Sequence, residues 1–100
     1  MAVKVLIRRH FREGKSAEGL VLLNELRTQA MNQPGHITGE TLVDHYDDRT
    51  ITTISTWQTI AEWIRWEESN LRAVCEAKLE KLLEDKTTFE IYDPGRSPGD

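Results

Sequence analysis

Residues 36–57 read HITGETLVDHYDDRTITTISTW, and this stretch decides the fold. Thr38, Leu42 and Tyr46 fall at alternating positions in its first half, which predicts a long strand from His36 through Asp48. TITTISTW, at 50–57, is the most β-branched stretch in the chain and predicts a second strand. DDRT between them has turn chemistry, so the two strands form a hairpin. Gly39 marks a bulge or a close approach of another group.

Upstream, QPG at 33–35 stops whatever precedes it, because proline lacks an amide donor and restrains the residue before it. Before that stop, Ala17, Leu20, Leu23, Leu26 or Arg27, and Ala30 recur at helical spacing, with Ser16 as a candidate N-cap. Gly19 costs this helix about 1 kcal/mol relative to alanine. At the start of the chain, AVKVLIRRHF at 2–11 alternates. Val3, Val5, Ile7 and Arg9 point one way, and Lys4, Leu6, Arg8 and His10 point the other.

Downstream, residues 60–85 give the strongest helical pattern, with Ile60, Trp63, Ile64, Leu71, Val74, Cys75, Leu79, Leu82 and Leu83 on one stripe. Ser69 and Asn70 could break it and cap a second segment. TTFEIYD closes the chain as a last strand, with Phe89 and Ile91 on one face and Glu90 and Tyr92 on the other. The order is β-α-β-β-α-β, the ferredoxin-like split βαβ arrangement in the α+β class: a four-stranded antiparallel sheet with helices on one face. The other face, including Leu6, Thr52, Ile54 and Tyr92, is too apolar to leave in water, which predicts a homodimer with two sheets packed face to face.

The chain has 100 residues, enough for one domain, placed at 1–93 with a flexible tail at 94–100. Thirteen Lys and Arg against seventeen Asp and Glu give a formal charge of −4 without any basic stripe, so neither nucleic acid nor an anionic membrane is an expected partner. No apolar run approaches the roughly 20 residues of a membrane span, and the N-terminus lacks the features of a signal peptide. A cytoplasmic protein is expected. The single cysteine, Cys75, excludes an intrachain disulfide and reads as a small buried hydrophobe. No histidine or carboxylate spacing suggests a metal site, and no metal is expected.

The proline-glycine before the second strand (PGHITGETL), the STW that ends the third, the further tryptophan followed by EES in the next helix, and the closing strand ending in tyrosine belong together. With the opening VKVLIRRHFREGK, they resemble the antibiotic biosynthesis monooxygenase (ABM) family of dimeric α+β barrels over about residues 2–93. The resemblance implies a mixed set of activities: some members look like cofactor-independent oxygenases of polyphenolic or quinol substrates, with Asn, Trp, Tyr and Arg side chains holding a phenol between sheet and helices, some degrade haem, and many have no known activity. Trp57 or Trp66 matches the tryptophan, and Arg8 or Arg65 offers the guanidinium. In haem-degrading members of the family the axial histidine falls at Cys75 here. No histidine lies anywhere in that helix, so no haem and no other cofactor is expected.

Such an oxygenase needs a base or cation near the substrate hydroxyl and aromatic walls that exclude water. All three tryptophans, Trp57, Trp63 and Trp66, lie within residues 57–66. Trp57, at the strand end, either lines a pocket or packs; Trp63 shares the core stripe; Trp66, toward its edge, faces a cleft or a partner chain. Arg8 is taken as the cleft cation and Arg9 as a surface charge. His36 or His10 is the candidate proton acceptor, since histidine titrates near neutral pH. The expected function is a monooxygenase acting on a small phenolic or quinol compound, and the alternative is a non-catalytic dimeric domain that binds a small aromatic molecule or serves only in assembly.

Overall fold

A computed structural model of the chain describes residues 2–95. The tail expected at 94–100 therefore lies, beyond Gly95, outside the described residues. The elements run β1 (Val3–His10), α1 (Ser16–Met31), β2 (His36–Val43), β3 (Thr50–Trp57), α2 (Ile60–Glu67), α3 (Asn70–Glu80) and β4 (Thr88–Tyr92). The four strands form one antiparallel sheet in the order β2-β3-β1-β4. The chain is thus ferredoxin-like, as its element order predicts. No described helix is long and apolar enough to cross a membrane.

The two faces of the sheet follow from strand alternation. Val3, Val5, Ile7 and Arg9 of β1 are buried beneath the helices, opposite Trp57, Ser55, Thr53 and Ile51 of β3. Leu23 and Leu26 of α1, Trp63 and Trp66 of α2, and Leu79 of α3 cover this face and complete the core. The opposite face carries Leu6, Ile54, Leu42 and Tyr92 with no described element over it, and Leu42 and Tyr92 remain 45% and 49% exposed.

Several local expectations are corrected. Ser16 does not cap α1 but is its first helical residue; Lys15 occupies the N-cap position and makes no side-chain capping bond. Gly19 is there for space: a Cβ on it would sit 2.4 Å from the Phe11 ring, which fills the core under the helix start. β2 ends at Val43, short of Tyr46, because the Asp44 carboxylate accepts the backbone N–H groups of Tyr46 and Asp47 at 2.9 and 3.0 Å and turns the chain. Tyr46 is consequently almost fully exposed.

The last helical stretch is two helices. Thr59 caps α2, accepting from the Glu62 N–H while its hydroxyl donates to the Glu62 carboxylate, and Ser69 caps α3 by accepting from the Arg72 N–H at 3.2 Å. The break resets the helical phase. Along one continuous helix, at about 100° per residue, Arg72 would lie about 180° from Trp63 and face away from the core. In the folded chain Arg72, Cys75 and Leu79 are the inward side of α3, and Leu71 and Val74, expected on the buried stripe, are 54% and 60% exposed. Ile60 and Ile64 of α2 are also exposed, because Trp63 and Trp66 take the inward positions.

Candidate functional site

Between the sheet and the helices lies a cleft of about 470 Å³, counting its open mouth, of which about 50 Å³ is deep and wide enough to admit the centre of a water molecule. By that narrower measure it has room for a few waters or one flat ring. Thr41, Thr53 and Ser55 rise from its sheet floor, α1 contributes Leu23, Leu26 and Arg27, and Trp63, Trp66 and Arg72 close it from α2 and α3. The third strand delivers Trp57 to one end of the floor, where its register places it opposite Val3 on β1 and His36 on β2.

The aromatic residues form a connected set. Trp57 is fully buried, its indole N–H donates to Ser55 Oγ at 3.0 Å, and its ring centre lies 5.9 Å from that of Trp63 at 59°. His36 meets Trp57 edge-on, with ring centres 5.1 Å apart. Partial burial, and then the positive charge of Arg27, hold His36 below the ordinary histidine range. Its imidazole is therefore neutral at pH 7 and able to accept a proton.

Arg72 supplies the inner cation. Only 6% exposed, its guanidinium lies 5.4 Å from the Trp63 ring centre and 5.7 Å from that of Phe89. Nη1 donates to the Glu67 carbonyl at 3.3 Å, whereas Nε and Nη2 are buried without a hydrogen-bond partner among the described residues. Glu76 Oε1 is 3.8 Å from Nη2, but that carboxylate is engaged by Arg9, whose side chain is fully buried beneath α3. Two buried guanidinium groups thus share one carboxylate. Unpaired donors in a low-dielectric site favour an incoming anion.

Of the residues singled out in the sequence, Trp57, Trp66 and His36 border the cleft together, and Trp63, assigned to the core alone, borders it as well. Arg8 and His10 do not. Both alternate onto the uncovered face of the sheet, where Arg8 is exposed and His10 Nδ1 lies 2.9 Å from Thr50 Oγ1 and 3.5 Å from Asp47 Oδ2. The assignment of the two adjacent arginines is reversed: Arg9 is interior and Arg8 is the surface charge. Arg65 is exposed on α2.

Arg27, placed on the stripe of the first helix but given no role at a site, and Arg72 were missed as site residues, and Ser69 was the signal that could have found the second. Counting the helical phase afresh from that cap puts Arg72, Cys75, Leu79 and Leu82 on one stripe. Cys75 packs as expected, its thiol donating to the Leu22 carbonyl at 3.5 Å, and burial raises its pKa. Such a thiol is protonated and unreactive at neutral pH.

Comparison with known proteins agrees with the architecture. The family profile described as antibiotic biosynthesis monooxygenase matches residues 2–78. No curated protein matches the chain at a significant level. Among solved structures, SnoaB, a cofactor-independent oxygenase from Streptomyces nogalater, superposes with a TM-score of 0.86 at 15% identity, covering 99% of this chain and 98% of that one. A conserved protein from Methanosarcina mazei Go1 gives 0.87 at 17% identity over 92% of this chain and 91% of its own. A protein from Mycobacterium tuberculosis gives 0.88 at 13% identity over 99% and 100%. At these identities the superpositions establish a shared fold.

Proposed function

Because the chain belongs to the antibiotic biosynthesis monooxygenase family, we propose that it is a cofactor-independent monooxygenase of a small phenolic or quinol compound and works as a homodimer. The observation that carries this reading is a buried Arg72, with two nitrogens lacking a hydrogen-bond partner among the described residues, in the lining of an indole-walled cleft that also holds a neutral histidine. SnoaB, which shares the fold, is itself described as a cofactor-independent oxygenase.

In this mechanism the phenol enters between Trp57, Trp63 and Trp66, which exclude water from the ring. His36, at the mouth, accepts the phenolic proton by way of a water, and the N–H groups of Arg72 stabilise the phenolate oxygen. The electron-rich anion transfers an electron to dioxygen, and the radical pair combines at a ring carbon bearing hydrogen to give a peroxide anion, which takes back the proton held by His36. Loss of water from that carbon breaks the O–O bond and leaves a carbonyl. One oxygen atom ends in the quinone product and the other in water, with the substrate as the only reductant. The uncovered apolar face of the sheet, with Leu6, Ile54 and Leu42, supports the dimer, since a second copy would bury it.

The test is oxygen uptake by purified protein over a panel of hydroquinones and anthrols, with tryptophan fluorescence followed in parallel. Uptake above the blank that falls at least tenfold in Arg72→Gln supports the proposal. Fluorescence changes without uptake would assign the cleft to binding alone.

A further inference from the structure

We propose that the substrate carries a carboxylate in addition to its phenolic hydroxyl, with the carboxylate held by Arg27 at the mouth of the cleft and the phenolic oxygen by Arg72 inside it. This inference rests on the reading of the cleft given above and narrows its substrate class to hydroxyaromatic acids.

Arg27 leans from α1 over Gly39, its Nε 3.9 Å from where a Cβ on that glycine would sit, and His36 Nε2 would be 3.4 Å from the same point. The missing side chain at Gly39 therefore opens the gap between the guanidinium and the imidazole. Among the described residues Arg27 makes no ion pair and no side-chain hydrogen bond. It faces both the indole-walled cleft and a neighbouring depression that also touches His36 and Thr38. Arg72, at the inner wall, is buried and offers two unpartnered nitrogens. The one acidic residue at the border, Glu40, is exposed and alternates with Gly39 and Thr41 onto the other face of the sheet.

Among the described residues the cleft thus presents two cations and no inward carboxylate, in a chain of formal charge −4. A net acidic surface repels anions in general, so an Arg27 free of ion pairs among the described residues and an Arg72 that shares its one carboxylate with Arg9 set a local preference of the opposite sign at this cleft. A planar guanidinium matches a carboxylate with two parallel N–H donors, which a hydroxyl alone cannot satisfy. A ligand with one acidic group at each end answers both sites, and the narrow space between them suits a single ring, with any second fused ring extending into the open mouth.

The experiment titrates the full-length protein with gentisate and gentisate methyl ester, and with dihydroxynaphthoate and its methyl ester, reading tryptophan fluorescence for binding and oxygen uptake for turnover. The acids should bind about tenfold or more tightly than their esters in the unmodified protein. In Arg27→Gln that ratio should fall to about one, in Arg27→Lys it should be partly retained, and Arg72→Gln should weaken acid and ester alike. Equal affinity for acid and ester in the unmodified protein, or a preference that survives Arg27→Gln, overturns the inference while leaving the oxygenase reading intact. Tight, Arg27-dependent binding of the acids without oxygen uptake upholds the inference and removes the oxygenase reading. Absence of binding by all four compounds defeats both.

Discussion

The imidazole of His36 stands edge-on to the indole of Trp57, with ring centres 5.1 Å apart and planes at 88°. These residues are cross-strand partners, and the sheet register shifts immediately after them, between His36 and Thr38. The bulge ends regular pairing at the point where a titratable ring and the strand-end tryptophan meet the cleft. A polar group is thereby placed against an aromatic wall by backbone pairing, without a hydrogen bond to hold it.

This geometry fixes the direction of a pH effect. His36 has a folded pKa below its usual 6.5, from burial first and the Arg27 charge second. The unfolded chain consequently binds this proton more readily: stability from His36 is complete above about pH 6.5 and is lost as pH falls through the folded value. If His36 is the base, the acid limb of kcat/KM lies below 6.5 and moves up toward it in Arg27→Gln, with the burial effect remaining. A limb that does not move with Arg27, or that persists in His36→Asn, argues against this assignment.

Glu76 is, among the described residues, the one carboxylate that pairs with both interior guanidinium groups, Arg9 and Arg72. Glu76→Gln should destabilise the fold toward the lower end of about 3–5 kcal/mol, because Arg9 is left charged and buried while position 76 retains some contact with solvent. Urea denaturation would read this as a lower midpoint at unchanged slope. A loss below about 1 kcal/mol would mean that water reaches Arg9.

Gly19→Ala tests packing against propensity. Alanine gains about 1 kcal/mol of helix propensity, but its Cβ would sit 2.4 Å from the Phe11 ring. Overpacking of this kind costs about 1–3 kcal/mol, so the substitution should be net destabilising, and Phe11→Leu in the same chain should recover part of the loss. A higher Tm for Gly19→Ala alone would show that the ring moves aside freely.

Assembly is tested on the uncovered sheet face. Ile54→Lys or Leu6→Glu should convert a dimer to a monomer in light scattering, since each puts a charge in the middle of an apolar contact. A monodisperse monomer at micromolar concentration for the unmodified protein would remove the dimer proposal.

The strands, the hairpin and the order of elements were legible because each rests on a local pattern: alternation in β1, β-branching in β3, the Pro-Gly stop after α1. The two faces of β1 were separated correctly, yet which arginine is interior was not legible. Arg9 is buried because Glu76, 67 positions away, meets it, and no local pattern encodes such a partner. His36 and Trp57 could be named from the strand ends they occupy. Arg72 could not be, because its facing depends on the pause at Ser69, and a stripe drawn through that pause puts Leu71 and Val74 inside and leaves Arg72 out.

The pause has a consequence for how this scaffold can diversify. α2 carries the indoles and α3 the inner guanidinium, and a two-residue link, Glu68–Ser69, sets their relative rotation. Adding or removing one residue there would turn α3 by about 100° against the sheet, exchanging Arg72 for a neighbour such as Leu71 or Ala73 without altering a strand or an aromatic wall. The link therefore works as a dial for the chemistry of the cleft, separable from the framework that encloses it.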